Sequence, residues 1–401
     1  MILIDTIRAN LTRARLDRHE ISGALGDLGT FLPLLLGMSA QNGLNFASGL
    51  FFAGLFNLLT GLTFTIPMAV QPMKAIAAVA LTEGLTALQI LAAGATVSSI
   101  ILVLGLSGLI NLLDRAIPRP VVRGLQLGLG LSLVMKGFQM VAGTRQWWGA
   151  DSILIGALAG IFVLAFFFSR RVPAALVLFV AGIALAVVER PEVIGQLGLG
   201  VTLPAWTPPA WSDFASSFFR AALPQIPLTT LNSVIAVCAL SADLFPDRPA
   251  RPRTVAVSVG LMNLAAAGFG GMPMCHGAGG LAGQYRFGAR TNGSILFLGA
   301  AKMGLAVLFG SSLLTLCAAF PASILGILLL FSGIELSLVS RDQRRRADVF
   351  VMLATASAAL AFNNIALGFC LGLAIAWGMR LAGQPEPDDP ANGPRVAGGR
   401  A

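Results

Sequence analysis

The sequence is poor in charged residues. Asp, Glu, Lys and Arg make up only 11% of its 401 residues, whereas a soluble domain carries about 25%. Hydrophobic residues make up 56%, and the mean hydropathy is +0.81. This composition excludes a water-soluble enzyme or a nucleic-acid-binding protein, despite a formal net charge of +9. At roughly 20 to 25 residues per span and loop, the apolar part of the chain provides about fourteen membrane segments.

Cysteine and catalytic motifs are also scarce. The four cysteines, at positions 238, 275, 317 and 370, form no CxxC pair. This spacing argues against a metal site and against a disulfide framework, so we expect no metal and no cofactor. The sequence lacks HExxH, GxSxG and DDxxD, which disfavours an intramembrane enzyme. We expect Cys238, Cys317 and Cys370 to be small apolar fillers.

The basic residues predict the topology. The apolar runs give fourteen spans, at 21–38, 45–65, 73–84, 95–113, 121–142, 152–169, 172–189, 223–242, 254–270, 277–287, 292–310, 322–340, 347–361 and 364–380. With the N-terminus inside, 21 of the 27 Lys and Arg lie on the inner side and three on the outer side. This positive-inside bias predicts a multi-pass protein of the cell membrane with both termini in the cytoplasm.

The two ends of the chain differ from the apolar middle. Residues 1–20 read as a cytoplasmic amphipathic segment, because apolar positions recur every three or four residues between arginines. Residues 382–401 are rich in Pro and Gly and predict a disordered cytoplasmic tail.

The chain repeats itself at an offset of 201 residues. Pro72-Met73 recurs as Pro273-Met274, and Pro120 recurs as Pro321. The first pair opens spans 3 and 10, and the second opens spans 5 and 12. Since each half contains seven spans, the second half would lie upside down relative to the first, as in many secondary transporters. We therefore predict two inverted repeats, at 21–200 and 211–381.

Both halves are interrupted at the same place. TIPMAVQPMKAIAA and GFGGMPMCHGAGGLAG are broken by Pro and Gly, and the first leaves a helix of only about eleven residues, roughly 16 Å long. Two half-helices whose N-termini meet near the midplane would present unpaired N–H groups and positive dipole ends to an anion. Gln71 precedes the first half-helix, and Cys275 and His276 precede the second. His276 would donate to an anion, accept a coupling proton, or pack structurally.

The three lysines all lie within apolar spans. Lys74, on the first turn of half-helix 3, would add a full charge to the dipole end, or it would pair with Asp27 or Glu83. Lys136 lies where it would snorkel to the membrane surface. Lys302 lies in mid-span, which favours a buried structural ion pair.

Polar side chains in spans 1 and 8 complete the candidate site. Asp27 lies in GALGDLGTFLP, where it would either pair with Lys74 or act as a protonatable coupling group; Thr30 follows one turn later. Span 8 carries Asn232 and Ser233 but no carboxylate in mid-membrane. Neutral donors at this place fit an oxyanion better than a cation.

Three motifs together, GALGDLGTFLPLLLGM, PMAVQPMKAIAA and GMPMCHGAGGLAGQYRFGAR, resemble the molybdate transporter family of plants and bacteria, which is related to the sulfate permease (SulP) superfamily. The resemblance covers nearly the whole chain. It implies an all-α fold of fourteen transmembrane segments in a seven-plus-seven inverted repeat, as in uracil permease. Spans 1–4 and 8–11 would form a core domain, and spans 5–7 and 12–14 a gate domain.

The resemblance also implies an oxyanion bound between half-helices 3 and 10. The residues it suggests are Asp27, Thr30, Gln71, Met73, Lys74, Cys275, His276 and Gly277. Asn232 and Ser233 extend this set through the geometry of the repeat. The chain departs from sulfate permeases in lacking their C-terminal regulatory domain, and from nucleobase permeases in lacking a carboxylate within span 8.

These features predict uptake of a tetrahedral oxyanion, molybdate, by alternating access. Sulfate is the main alternative, since both anions are divalent tetrahedra; a nucleobase or bicarbonate carrier and a passive anion channel are less favoured. Asp27 or His276 would carry a co-transported proton. The expected partners are the oxyanion and the lipid bilayer, with no nucleic acid, and a homodimer is left open.

Overall fold

The computed structural model describes residues 10–110, 117–166, 169, 174–195 and 198–382. Within these ranges the chain is almost entirely helical. In chain order the main helices are α1 (Arg18–Asn42), α2 (Phe46–Thr63), α3 (Lys74–Glu83), α4 (Ala87–Ser107), α5 (Arg119–Gly143), α6 (Ile153–Phe166), α7 (Ala174–Glu189), α8 (Trp211–Leu244), α9 (Pro252–Ala267), α10 (Ala278–Arg286), α11 (Gly293–Ala319), α12 (Ala322–Leu338), α13 (Arg346–Ala361) and α14 (Ile365–Leu381). One-turn helices lie at Glu192–Gly195 and Val339–Asp342.

Each predicted span overlaps one of these helices. Within the described residues, seven of them are long and apolar enough to cross a membrane: α1, α2, α4, α5, α8, α11 and α12. The number of spans that cross the bilayer stays a prediction. The protein is nevertheless helical, with several helices of the kind that cross membranes, as the composition predicts.

Two helices begin earlier than predicted, for identifiable reasons. α4 begins at Ala87 rather than near 95, because Thr86 and Gln89 form a capping box in which each side chain meets the other's backbone N–H. α8 begins at Trp211 rather than near 223. The sequence predicts Arg220 in the loop before the span at 223–242. It lies inside α8 and bonds to Glu83.

The two interrupted segments meet in the middle of the molecule. Gln71–Pro72 forms strand β1 just before α3, and Met274–Cys275 forms β2 shortly before α10. The strands are antiparallel, with Pro72 opposite Met274, and the N–H of Met73 donates to the carbonyl of Pro273 at 2.9 Å. A shift of 201 residues converts the first of these pairs into the second. The register is therefore what the predicted inverted repeat requires.

The helix pairs can be compared with the predicted repeat in the same way. α2 packs on α11, and α4 packs on α9; these two pairs are interchanged if span n is equivalent to span n + 7. α5 packs on α12, its own counterpart. At this contact a β-carbon on Gly130 would collide with the Gly333 carbonyl, and one on Gly137 with the Gly326 carbonyl. Small residues let the two backbones approach closely, as in many membrane helix pairs.

The most extensive pairings fall into two groups. One group joins α2 with α11, α4 with α9 and α1 with α10; the other joins α5 with α12 and α13, and α13 with α14. Smaller contacts link the groups, among them α3 with α5 and α1 with α7 and α12. We refer below to the first group, with α3 and α8, as the α1–α4/α8–α11 group, and to the second, with α6 and α7, as the α5–α7/α12–α14 group.

The described part of the N-terminal segment packs on the protein. The Asn10 amide donates to the carbonyls of Leu62 and Thr63 at the end of α2. Asp17 caps α1 and accepts hydrogen bonds from the N–H groups of Glu20 and His19, which together hold the pKa of its carboxyl below the usual value. Residues 1–9 and 383–401, which include most of the predicted tail, lie outside the described residues.

Candidate functional site

A small cavity lies where the two interrupted segments meet, and most of the residues that line it carry polar side chains. The volume open to the centre of a water molecule is about 20 Å³, which is room for about one water. α3, α5, α8, α10 and α12 all reach it. Its lining residues are Gln71, Lys74, Gln126, Gln225, Leu228, Asn232, Ser233, Cys275, Gly277 and Leu336.

Lys74 is the charged side chain of this lining. It is the first residue of α3, as predicted. Among the described residues, no carboxylate lies within 4 Å of its ammonium, and Glu335 and Asp27 act on its charge from farther away. Neither of the two predicted ion pairs forms: Asp27 faces Lys302, and Glu83 bonds to Arg220. The positive charge at the cavity is therefore available to a bound anion.

The start of α3 is partly occupied by a side chain. The Gln225 Oε1 atom, from α8, accepts hydrogen bonds from the N–H groups of Ala75 at 2.8 Å and Ile76 at 3.2 Å. Its Nε2 atom donates to Thr229 Oγ1 at 2.9 Å. The prediction that both half-helices present unpaired N–H groups is thus wrong for α3. On this side of the site, the charge of Lys74, rather than the dipole of α3 alone, would attract an anion.

The start of α10 is held close to Gln71. Gly277 is the N-cap, and no side chain caps the helix. A β-carbon on Gly277 would collide with Gln71 Oε1, and one on Gly280 would lie 2.5 Å from the β-carbon of Ala69. The two glycines therefore let Gln71 lie against the first turn. Gln71 is buried, and among the described residues its Oε1 has no hydrogen-bond partner.

α8 brings two predicted residues into the cavity through a local irregularity. Residues Thr229–Ile235 are a π-helical stretch, in which the N–H of Ala236 bonds to the carbonyl five residues earlier. Pro224 and Pro227 lie just before it and lack the N–H that a regular helix needs. Asn232 and Ser233, within the stretch, line the cavity. Such π-bulges occur often at functional sites.

Cys275 closes the cavity on the side of β2. Ser233 Oγ lies 3.1 Å from Cys275 Sγ and donates to it. Both side chains are buried and line the cavity. The two residues thus connect the π-helical stretch of α8 to the second interrupted segment.

Asp27 lies behind the cavity in a buried charged cluster. Its carboxylate is fully buried, and its Oδ2 lies 3.8 Å from Lys302 Nζ. Lys302 Nζ also donates to Asn57 Oδ1 at 3.2 Å and lies 3.7 Å above the ring centre of Phe31. Lys302, Gln71 and Lys74 act on the Asp27 charge. Asp27 is therefore next to the site without lining it.

His276 has both ring nitrogens engaged away from the cavity lining. Nδ1 lies 3.0 Å from the carbonyl of Ala69, which can only accept, so Nδ1 carries the proton. Nε2 lies 2.9 Å from Ser258 Oγ, and the ring meets Phe64 edge to face. These contacts are the ones expected of the packing role, which the sequence left as an alternative.

Two further predicted residues do not line the cavity. Met73 is buried at the N-cap of α3, where its N–H bonds to Pro273. Thr30 lies one turn after Asp27 on α1 and is partly exposed. The structure therefore brings together Gln71, Lys74, Asn232, Ser233, Cys275 and Gly277, and leaves Asp27, Thr30, Met73 and His276 behind or beside them.

Sequence reasoning missed two glutamines of the lining. Gln225 lies between two prolines in LPQIPL, and Gln126 lies in the apolar run VVRGLQLGLG. An amide within a membrane span is itself a signal, because its donors and acceptor need partners there. No group of three or more His, Cys, Asp or Glu that could hold a metal occurs in the described ranges.

Comparison with known proteins identifies molybdate transporters as relatives of this chain. A model of the family described as "Molybdate transporter of MFS superfamily" matches residues 19–133 and 217–336. Molybdate transporter 2 of Arabidopsis thaliana is 41% identical over 399 residues, which cover 89% of this chain and 86% of that protein. Molybdate transporter 1 of Chlamydomonas reinhardtii is 37% identical over 477 residues, which cover 91% of this chain and 92% of that protein.

Solved structures share the fold. The transmembrane domain of BicA, a bicarbonate transporter of a cyanobacterium, has a TM-score of 0.65 at 16% identity and covers 89% of this chain and 96% of its own. The murine Slc26a9 anion transporter in its inward-facing state has a TM-score of 0.69 at 14% identity and covers 94% of this chain and 71% of its own. This confirms the expected SulP-type fold.

Proposed function

The chain belongs to the molybdate transporter family, and from that membership we propose that it carries molybdate across a membrane through the cavity between α3 and α10. The protein is a transporter and not an enzyme, in keeping with its relatives. Molybdate transporters at 37% to 41% identity over most of the chain support this substrate.

The positive charge of Lys74 at the cavity is the observation on which the proposal depends. It supplies a positive charge at the cavity with no carboxylate within 4 Å among the described residues. An unpaired cation at membrane depth is costly unless a ligand or water compensates it. The uncapped start of α10 adds backbone donors on the other side. A divalent oxyanion would satisfy both, with the Asn232 amide as a neutral donor; the Ser233 hydroxyl, which donates to Cys275 Sγ, would have to turn toward the anion to join it.

The helix groups support alternating access. The cavity receives Lys74 and Cys275 from the α1–α4/α8–α11 group, and Gln126 and Leu336 from the α5–α7/α12–α14 group. We propose that these groups are the core and gate domains of two inverted repeats. The exchange of helix pairs and the strand register at Pro72 support the repeat. Because the cavity holds about one water, it must widen on one side to admit an oxyanion.

Asp27 is our proposed proton-coupling residue. It is fully buried, neither of its carboxylate oxygens has a hydrogen-bond partner among the described residues, and Gln71, which lines the cavity, acts on its charge. Both nitrogens of His276 are engaged in hydrogen bonds with Ser258 and Ala69, which makes His276 the weaker choice. A proton on Asp27 would change the charge beside the bound anion and so couple the two movements.

The basic residues support a location in the cell membrane with both termini in the cytoplasm. Of the 27 Lys and Arg, 21 lie on the predicted inner side. The homodimer that the sequence leaves open stays a prediction.

Substitution of Lys74 tests the proposal. Purified protein in liposomes is assayed for uptake of labelled molybdate, with unlabelled molybdate, sulfate and uracil as competitors. We expect Lys74→Ala to abolish saturable uptake and Lys74→Arg to retain part of it. Lys136→Ala, at a half-buried lysine of α5 outside the cavity, is the matched control and should transport normally. Normal uptake by a folded Lys74→Ala protein would remove Lys74 from the site, and stronger competition by sulfate than by molybdate would favour sulfate as the substrate.

A further inference from the structure

Gln126, on α5, lines the cavity and belongs to the α5–α7/α12–α14 group, whereas Lys74 belongs to the other group. Gln126 is fully buried. Among the described residues its Nε2 atom has no hydrogen-bond partner. A buried amide donor without a partner is costly, so a ligand or water is expected to meet it.

The orientation of this amide is determined by its neighbour. Arg123, one turn earlier on α5, donates from a terminal nitrogen to Gln126 Oε1 at 2.9 Å. An arginine has only donors, so the atom that faces it must be the amide oxygen. The NH₂ group of Gln126 is therefore the end that remains without a protein partner. A flipped amide would place two donors against each other.

Arg123 is itself held in place by Asp342, which follows α12. Arg123 Nε lies 2.9 Å and 3.1 Å from the two Asp342 carboxylate oxygens, and a terminal nitrogen lies 2.6 Å from one of them. This two-pronged contact leaves the other terminal nitrogen directed at Gln126. Asp342, Arg123 and Gln126 thus form a chain of contacts from a half-exposed carboxylate to the cavity.

We propose that Gln126 is a substrate-contacting residue contributed by the α5–α7/α12–α14 group, and that Arg123 positions its NH₂ group toward the bound oxyanion. The proposal rests on the proposed function. An anion that contacts both Lys74 and Gln126 would bridge the two helix groups. Binding would then favour the closed arrangement, because the second contact exists only when the groups are together.

The same geometry gives Gln126 a role in selectivity. An oxyanion has only acceptors, so it can receive a hydrogen bond from an amide whose oxygen is already occupied. A ligand that presents a donor at this place would face the NH₂ group and be disfavoured.

The test compares the apparent KM for molybdate among variants in proteoliposomes. Gln126→Leu and Gln126→Glu keep the size of the side chain and remove the donor. We expect Gln126→Leu to raise KM about 10- to 100-fold, the effect of one hydrogen bond to a charged ligand, with unchanged thermal stability. Gln126→Glu also places a negative charge beside the anion and should raise KM by more. Gln41→Leu removes an exposed amide near the end of α1 that bonds to Met140 Sδ, lies outside the cavity lining, and is the matched control with a wild-type KM.

Arg123→Met separates positioning from direct contact. If Arg123 acts through Gln126, the variant raises KM, and Arg123→Met combined with Gln126→Leu has no larger effect than Gln126→Leu alone. Arg123→Lys, which keeps a donor, should restore part of the affinity. Multiplying effects in the double variant would overturn the positioning role.

The outcomes distinguish the two proposals. Wild-type transport of molybdate or sulfate, with an unchanged KM in both Gln126 variants, would overturn this inference alone. A wild-type protein that transports neither anion would overturn the proposed function and this inference with it.

Discussion

Replacing Lys302 by methionine should destabilise the protein by about 3 to 5 kcal/mol, the cost of removing one partner from a buried ion pair. Methionine keeps most of the volume of the lysine stem and loses the charge. Asp27 would then be left fully buried, with its closest ion-pair partner, at 3.8 Å, gone. The loss of this compensation dominates the effect.

Smaller contributions point the same way. The hydrogen bond from Lys302 to Asn57, at 3.2 Å, is worth about 1.5 to 3 kcal/mol because its donor is charged. The contact with the Phe31 ring, at 3.7 Å, contributes about 2 kcal/mol when desolvated. These terms overlap with the loss of the ion pair and are not added to it. Removing both charges, in Lys302→Met with Asp27→Leu, should recover much of the stability.

The assay is thermal unfolding of the purified protein in detergent, with all variants at equal protein concentration. We expect a clearly lower midpoint for Lys302→Met and a partial return in the double variant. Lys136→Met is the control, since Lys136 has no ion pair among the described residues, and should shift the midpoint little. A Lys302→Met protein as stable as the wild type, or a double variant less stable than either single variant, would refute the reasoning.

Two further predictions concern the site. Gly277→Ala should lower molybdate uptake, because its β-carbon would collide with Gln71 Oε1 and displace that side chain from the cavity, whereas Gly304→Ala, which meets open space, should transport normally; uptake assays of the two variants decide, and equal rates would contradict the tight fit at Gly277. Asp27→Asn should remove the dependence of uptake on an inward proton gradient, since it cannot release a proton; a wild-type rate that is equal with and without the gradient would instead exclude proton coupling.

The sequence predicts well where the two helices are interrupted, because backbone breaks are encoded locally. Proline and glycine in TIPMAVQPMKAIAA and GFGGMPMCHGAGGLAG interrupt the helices whatever surrounds them. The offset of 201 residues then predicts that the two breaks correspond, and the pairing of Pro72 with Met274 agrees with it. The positions of Lys74 and Gly277 at the helix starts follow from the same breaks.

The partners of the polar side chains could not be predicted in this way. Whether Asp27 faces Lys74 or Lys302 depends on how α1 is rotated against α3 and α11, and a single sequence does not contain that rotation. The capping of α3 by Gln225 likewise depends on a contact between residues 150 positions apart. Gln126 could not be found in this way either, because the orientation of its amide depends on Arg123 and, through Arg123, on Asp342, which lies 219 positions later in the chain.

Counterflow tests the central claim most directly, because it detects a carrier independently of the coupling ion. Proteoliposomes containing the wild-type protein are preloaded with molybdate, sulfate, uracil or buffer, and the entry of labelled molybdate is measured. Internal molybdate should stimulate entry well above internal sulfate or uracil, and Lys74→Ala should abolish the stimulation. Entry that internal molybdate does not stimulate would contradict a molybdate carrier that alternates its access around this cavity.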